Sequence, residues 1–287
     1  MQNINMGRGQ FAVALCAVFW STSGLFIKLL DWHPVVIAGA RSLVAAIFML
    51  AVRRAFPARG KFRRGGFNMF AAGVCYAGAM LFFVVANKLT ASANVILLQY
   101  SAPVWACLLA WLLLKEKPFW EHWTALALVI GGMVLFFKEG LASGSIFGDG
   151  LAVVSGVFFG ANSAFMRAQK DENPADSMLV AHILTALFAV PFFFVFPPLI
   201  SPSSAGAVLF MGVVQIGCAS LLFAYGIKRI STVQAMLTAS IEPVLNPVWT
   251  LIVTGEKPSI SALAGGAVIF FSVIFSSIIG KRRDSSN

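Results

Sequence analysis

Long apolar runs, each about as long as a bilayer crossing, are separated along this chain by short polar or Pro/Gly-rich breaks. Windows of about 20 residues, the length a helix needs to span a hydrocarbon core, fall at about 11–30, 34–52, 67–86, 93–114, 119–137, 148–166, 178–196, 205–226, 233–253 and 259–279. The breaks are as short as Asp31, Trp32, His33 and Pro34. Lipid offers the backbone no hydrogen bonds, so each run must be a helix or part of a closed barrel. Barrel strands alternate apolar and polar positions, and these runs do not. The pattern predicts an all-α integral membrane protein of ten transmembrane helices.

The chain also repeats itself a half-length apart. Leu113, Leu114, Lys115, Glu116, Lys117 and Pro118 close one apolar run, and Val253, Thr254, Gly255, Glu256, Lys257 and Pro258 close another. Pro103 pairs with Pro243 and Lys88 with Lys228 at the same offset; Lys28 falls opposite Arg167 one residue out of step. Two five-helix repeats follow, one over 1–138 and one over 139–287. Five is odd, so the second repeat must enter the membrane from the opposite side. Lys and Arg favour cytoplasmic loops. With the N-terminus inside, Arg8, the Arg53 to Arg64 cluster, Lys115, Lys117, Arg167, Lys170, Lys228, Arg229 and Lys281 to Arg283 all lie inside, against Lys28, Lys88, Lys138 and Lys257 outside. Both termini are expected in the cytoplasm and the repeats are expected to be inverted, an architecture common among membrane transporters.

Composition agrees and narrows the class. The chain is 59% hydrophobic and 11% charged, where soluble domains carry roughly 25% charge. The net charge of +10 reads as an orientation signal plus attraction to anionic lipid, and no nucleic-acid partner is expected. The first apolar run is too long for a cleavable signal. Cys16, Cys75, Cys107 and Cys218 lie in predicted spans without CxxC spacing and read as buried thiols. His33, His122 and His182 lack metal-ligand spacing, so neither metal nor cofactor is expected. No HExxH, GxSxG or paired intramembrane aspartate marks an enzyme.

Ala239, Ser240, Ile241, Glu242 and Pro243, followed by Gly255, Glu256 and Lys257, with the counterpart Gln99 to Pro103 followed by Lys115, Glu116 and Lys117, resemble the drug/metabolite transporter superfamily and its EamA-type ten-helix exporters. Pro34 with Arg41 resembles the family's second helix. The first half departs by having Ala102 before Pro103, so any carboxylate role rests on the second half. The resemblance implies a basket in which helices 1, 3, 4, 6, 8 and 9 line a cavity, 2 and 7 lie outside, and 5 and 10 brace the halves. Its aromatic-rich layout resembles that of bacterial amino-acid exporters, which implies a multi-pass protein of the bacterial inner membrane.

The residues agree in part. Mid-span polar and aromatic side chains concentrate in helix 1 (Trp20, Ser23), helix 3 (Tyr76), helix 4 (Gln99, Tyr100), helix 6 (Asn162), helix 8 (Gln215) and helix 9 (Glu242). Polar groups in lipid are costly, so such faces should look inward, although Ser, Thr and Asn also simply bond helix to helix. Glu242 is the one acidic residue near mid-membrane. It can carry protons, face a substrate ammonium, or brace the helix break at Pro243. Arg41 can gate or attract a carboxylate, or its long stem can carry the charge out to the headgroups. His182 reads as a satisfied interfacial histidine, and Glu116 and Glu256 as parts of sharp connecting turns. Gly156 and Gly160 suit close backbone approach.

The expected function is export of amino acids, aromatic and hydrophobic ones included, by alternating access through a central cavity. Aromatics with neutral polar partners suit a small amphipathic solute. Export of lipophilic organic cations or other small metabolites is the alternative, and a non-transporting receptor a further one.

Overall fold

The computed structural model describes residues 2–22, 26, 30–56, 66–90, 92–138, 145–254 and 259–284. The described residues are helical with no strand. In chain order the helices are α1 (Gln2–Ser21), α2 (Pro34–Ala55), α3 (Phe67–Leu89), α4a (Ser92–Gln99), α4b (Ala102–Leu114), α5 (Trp120–Phe137), α6 (Ile146–Ala168), α7 (Ala175–Val195), α8 (Pro202–Ile227), α9a (Thr232–Ala239), α9b (Glu242–Thr254) and α10 (Ile260–Asp284).

Local chemistry sets the starts and breaks. Helix α2 opens on Pro34, whose missing N–H is no loss in a first turn, behind His33, whose Nδ1 accepts from Val35 N at 3.3 Å. Ser201 and Ser204 form a reciprocal cap at the start of α8, and Ser145 caps α6 through Gly148 N. Pro103 and Pro243 cannot continue a helical ladder, and the helices part just before them, at Tyr100 and Ser101 and at Ser240 and Ile241. The π-helical stretch Met211–Cys218 interrupts α8.

Among the described residues, eight helical stretches are long and apolar enough to cross a membrane: Pro34–Ala55, Phe67–Ala86, Asn94–Leu114, Trp120–Phe137, Ile146–Ala168, Ala175–Val195, Pro202–Ile227 and Ile260–Ile279. Ten were expected. The other two expected runs, 11–30 and 233–253, extend partly into residues, or side chains, outside the described ones.

The bundle packs α3 against α6 and α7, α2 against α7 and the middle of α8, α1 against the last part of α8, both parts of α4 against α6, and α5 against α10. Close approach depends on glycine at two crossings. A Cβ on Gly160 would stand 2.7 Å from Ala106 N and 2.8 Å from Ala102 O, and one on Gly265 would stand 2.5 Å from Gly132 O. The burial order suits lipid. Leu112, Leu187, Phe194, Leu263 and Phe271 are exposed, while Ser21, Ser155, Asn162, His182, Gln215 and Ser220 are buried. Hydrophobic solvent leaves apolar faces outside and gathers polar groups where they can bond each other.

Hydrogen bonds tie the helices together at both ends. At one, Arg53 bonds Asp176, joining the end of α2 to the start of α7. At the other, Trp32 Nε1 donates to Leu199 O at 3.0 Å, and Thr90 Oγ1 donates to Asp149 at 2.7 Å.

Candidate functional site

A central chamber of about 120 Å³ lies among α1, α2, α3, α4a, α6, α8 and α9b. Trp20, Arg41, Tyr76, Gln99, Gln215 and Glu242 give it its chemistry, and Met80, Phe83 and Phe159 add apolar wall. Glu242 opens α9b, where the free N–H groups of a helix start favour a negative charge; its Oε2 accepts from Tyr100 Oη at 2.7 Å. The helix breaks in the two halves therefore meet through Tyr100 and Glu242. Gln215 sits on the π-helical stretch, Oε1 accepting from Arg41 at 3.3 Å and Nε2 donating to Thr22 Oγ1 at 3.3 Å. At the end of α4a, Gln99 donates to Ser155 Oγ at 2.9 Å, and Ser155 in turn donates to Ala79 O at 2.7 Å. The aromatic wall is continuous: Trp20 meets Phe159 edge-on at 5.9 Å and Phe223 at 5.4 Å, and Tyr76 lies 6.2 Å from Phe159.

Of the residues named from the sequence, Trp20, Tyr76, Gln99, Gln215 and Glu242 come together on this chamber. Tyr100 stands behind Glu242 as its hydrogen-bond donor. Ser23, like Lys28 and Glu256, lies outside the described residues. Asn162 is a correction. It is fully buried on the face of α6 turned to α3, its Nδ2 donating to Ala72 O at 3.0 Å, so it fastens two helices and does not line the chamber. Helix α2 is another: it was expected outside, yet Arg41 reaches the chamber and Gln215 instead of the headgroups. His182 is buried, not interfacial; Ser220 Oγ lies 3.0 Å from its Nε2, and its ring stands edge-on to Tyr76. Phe83, Met80 and Phe159 were missed because an apolar residue facing a cavity reads the same as one facing lipid.

A second cavity, about 820 Å³, opens at the end bearing Met6, the Lys115 to Phe119 turn, Arg167 and the Lys228 to Ser231 turn. It shares no lining residue with the chamber. Glu116, expected as part of a connecting turn, does more. Its Oε1 accepts from Arg167 Nε at 2.8 Å, and its Oε2 accepts from Thr232 N and Oγ1, both at 3.2 Å. Arg167 NH1 also donates to Ile227 O and Lys228 O at 3.0 and 2.9 Å. Lys115 turns the chain into this cluster in the left-handed region, φ 56°, its N–H capping Ala110 O and Trp111 O. One first-half carboxylate is thus bound by two elements of the second half, and Arg167 ties in a third.

Apolar helices packed around a small polar and aromatic chamber define a multi-pass membrane transporter, and nothing in the chamber is built for bond-making chemistry. The chain belongs to the EamA-like transporter family, whose profile matches residues 7–138 and again 146–278. It is 23% identical over 76% of its length to a Bacillus subtilis protein described as the uncharacterized transporter YwfM, covering 75% of that protein. An uncharacterized transporter of Archaeoglobus fulgidus is also 23% identical, over 91% of this chain and 94% of its own. Mouse solute carrier family 35 member G1 is 28% identical over 48% of this chain and 38% of its own. A solved crystal structure covers 96% of this chain and 98% of its own at TM-score 0.82 and 18% identity, and shares the fold.

Proposed function

We propose that the protein exports amino acids, aromatic and hydrophobic ones included, across a bacterial inner membrane by alternating access. The observation that carries this is the pairing of Arg41 and Glu242, opposite charges, on one small chamber walled by Trp20, Tyr76, Phe83 and Phe159. A zwitterion with an apolar or aromatic side chain matches that lining term by term. A lipophilic cation matches Glu242 and the rings but leaves Arg41 facing like charge. Glu242, the one carboxylate on the chamber, is the group that can exchange a proton against a substrate ammonium.

The packing supports inverted repeats, 1–138 and 139–287, of five helices each. Exchanging the halves turns the α3–α6 contact into the α8–α1 contact and α3–α7 into α8–α2, and returns α2–α7 and α5–α10 to themselves. Ten crossings with both termini in the cytoplasm also agree with the second cavity, whose lining comes from segments that the charge pattern places inside. Separate cavities at the centre and at one end are what a barrier between them produces.

Purified protein in proteoliposomes tests the proposal by counterflow of labelled phenylalanine, threonine and a lipophilic cation, with and without a pH gradient. Saturable phenylalanine flux is expected, with gradient dependence lost in Glu242→Gln while exchange remains. Flux of the cation alone would replace the amino-acid reading.

A further inference from the structure

Two hydrogen-bond donors on the chamber have no acceptor. Trp20 Nε1 and Arg41 Nε are buried, and each lacks a partner among the described residues. Both residues line the chamber. Indole N–H and guanidinium can donate but never accept, so only an acceptor can satisfy them. Leaving a buried donor unpaired costs about 1–3 kcal/mol, an unusual concession where the surrounding groups are bonded: Gln99 to Ser155, Gln215 to Thr22, Tyr100 to Glu242. The obvious internal acceptor does not fill the gap. Among the described residues, Arg41 and Glu242 share a chamber but no ion pair. Arg41 is also fixed in place, because Gln215 Oε1 holds its NH1 and leaves Nε uncommitted.

We propose that Trp20 Nε1 and Arg41 form a carboxylate subsite, positioned by Gln215, and that a free carboxylate is the group the transporter requires of its substrate. This rests on the amino-acid reading and makes it sharper: the carboxylate goes to Arg41 and Trp20, the ammonium to Glu242. The charge on Arg41 selects an anion, and a carboxylate offers the two oxygens that two separate donors need. Gln215 is the positioning residue. Its placement depends on the π-helical stretch, a feature that recurs at functional sites in helices.

The test uses the full-length protein in proteoliposomes, with folded protein measured by thermal melting. Probes are labelled phenylalanine, competed by phenethylamine, which lacks the carboxylate, by phenylalaninamide, and by 3-phenylpropanoate, which lacks the ammonium. Trp20→Phe keeps a ring and removes the N–H; Arg41→Lys keeps the charge and removes the fork. Each is expected to raise the apparent KM for phenylalanine about tenfold, the loss of one hydrogen bond to a charged group, to weaken 3-phenylpropanoate equally, and to leave phenethylamine competition unchanged. Gln215→Leu should show the same ligand-selective loss, which a merely structural role would not produce. Equal shifts for all probes, or none, with wild-type phenylalanine flux intact would overturn the subsite alone. Should Arg41→Lys fail to fold, Trp20→Phe decides. Wild-type protein that moves phenethylamine but no carboxylate-bearing probe would overturn the subsite and the amino-acid reading together.

Discussion

Replacing Glu116 by Gln should loosen the basic end of the bundle. Glu116 is the first-half member of a cluster whose other members, Arg167 and Thr232, belong to the second half. The proposed alternating access requires that end to open further, so these bonds should be stronger in this state than in the opened one. A hydrogen bond to a charged group is worth about 1.5–3 kcal/mol and a neutral one about 0.5–1.5. Gln keeps the shape but loses the charge, a difference of about 1–2 kcal/mol. The Arg167 and Glu116 side chains are 14% and 25% exposed, which places the effect toward the lower figure and gives roughly a five- to tenfold shift toward the opened state. Arg167 keeps its bonds to Ile227 O and Lys228 O, so the end of α8 should remain anchored. The assay is maleimide labelling of a cysteine at Thr238, a buried position about two turns into α9a, in protein whose four native cysteines are replaced. Labelling should accelerate by the same five- to tenfold. An unchanged rate in a variant that melts like its parent would refute the reasoning.

Two glycines on α6 should respond to alanine with opposite signs. Gly160→Ala, whose Cβ would meet α4b backbone at 2.7 Å, should lower stability by about 1–3 kcal/mol, read as a fall in melting temperature; Gly150→Ala, with nothing within 4 Å, should hold or raise it by up to about 1 kcal/mol. Tyr100→Phe removes the Glu242 donor and should cost about 1.5–3 kcal/mol of stability, unless a water takes the site; a melt unchanged in dry detergent and in bilayers alike would count against that bond. Cysteines at Ser203 and Asn173 should label from opposite faces of oriented vesicles, and labelling from one face would sink the proposed threading.

What the sequence revealed and what it hid follow one physical line. Run length and proline are local signals, so the apolar helices and the break at Pro243 were readable, while the break before Pro103 was not expected. Which way a helix faces was not. In water an apolar face points inward, but in lipid both the packed face and the outer face are apolar, and the pattern loses its sign. The direction of Arg41 was left open for that reason, and Phe159 could not be told from Phe158. Asn162 erred the other way: a polar residue at mid-span satisfies itself on a neighbouring backbone, Ala72 O, as readily as it lines a cavity. The Glu116 cluster joins residues 51 and 116 positions apart, and no local pattern reports such a meeting.

The left-handed turn at Lys115 falls where the two repeats differ in sequence. For a residue with a Cβ that backbone costs about 1–2 kcal/mol. At the matching position of the repeated motif the sequence has Gly255, and glycine takes the same conformation at no steric cost. A molecule of two identical halves facing opposite ways would hold its two conformations, related by a two-fold axis, at equal energy and spend equal time in each. A strained lysine in one half lifts that degeneracy wherever its turn relaxes in one conformation and not in the other. A change at residue 115 can then tilt the resting preference without touching the chamber.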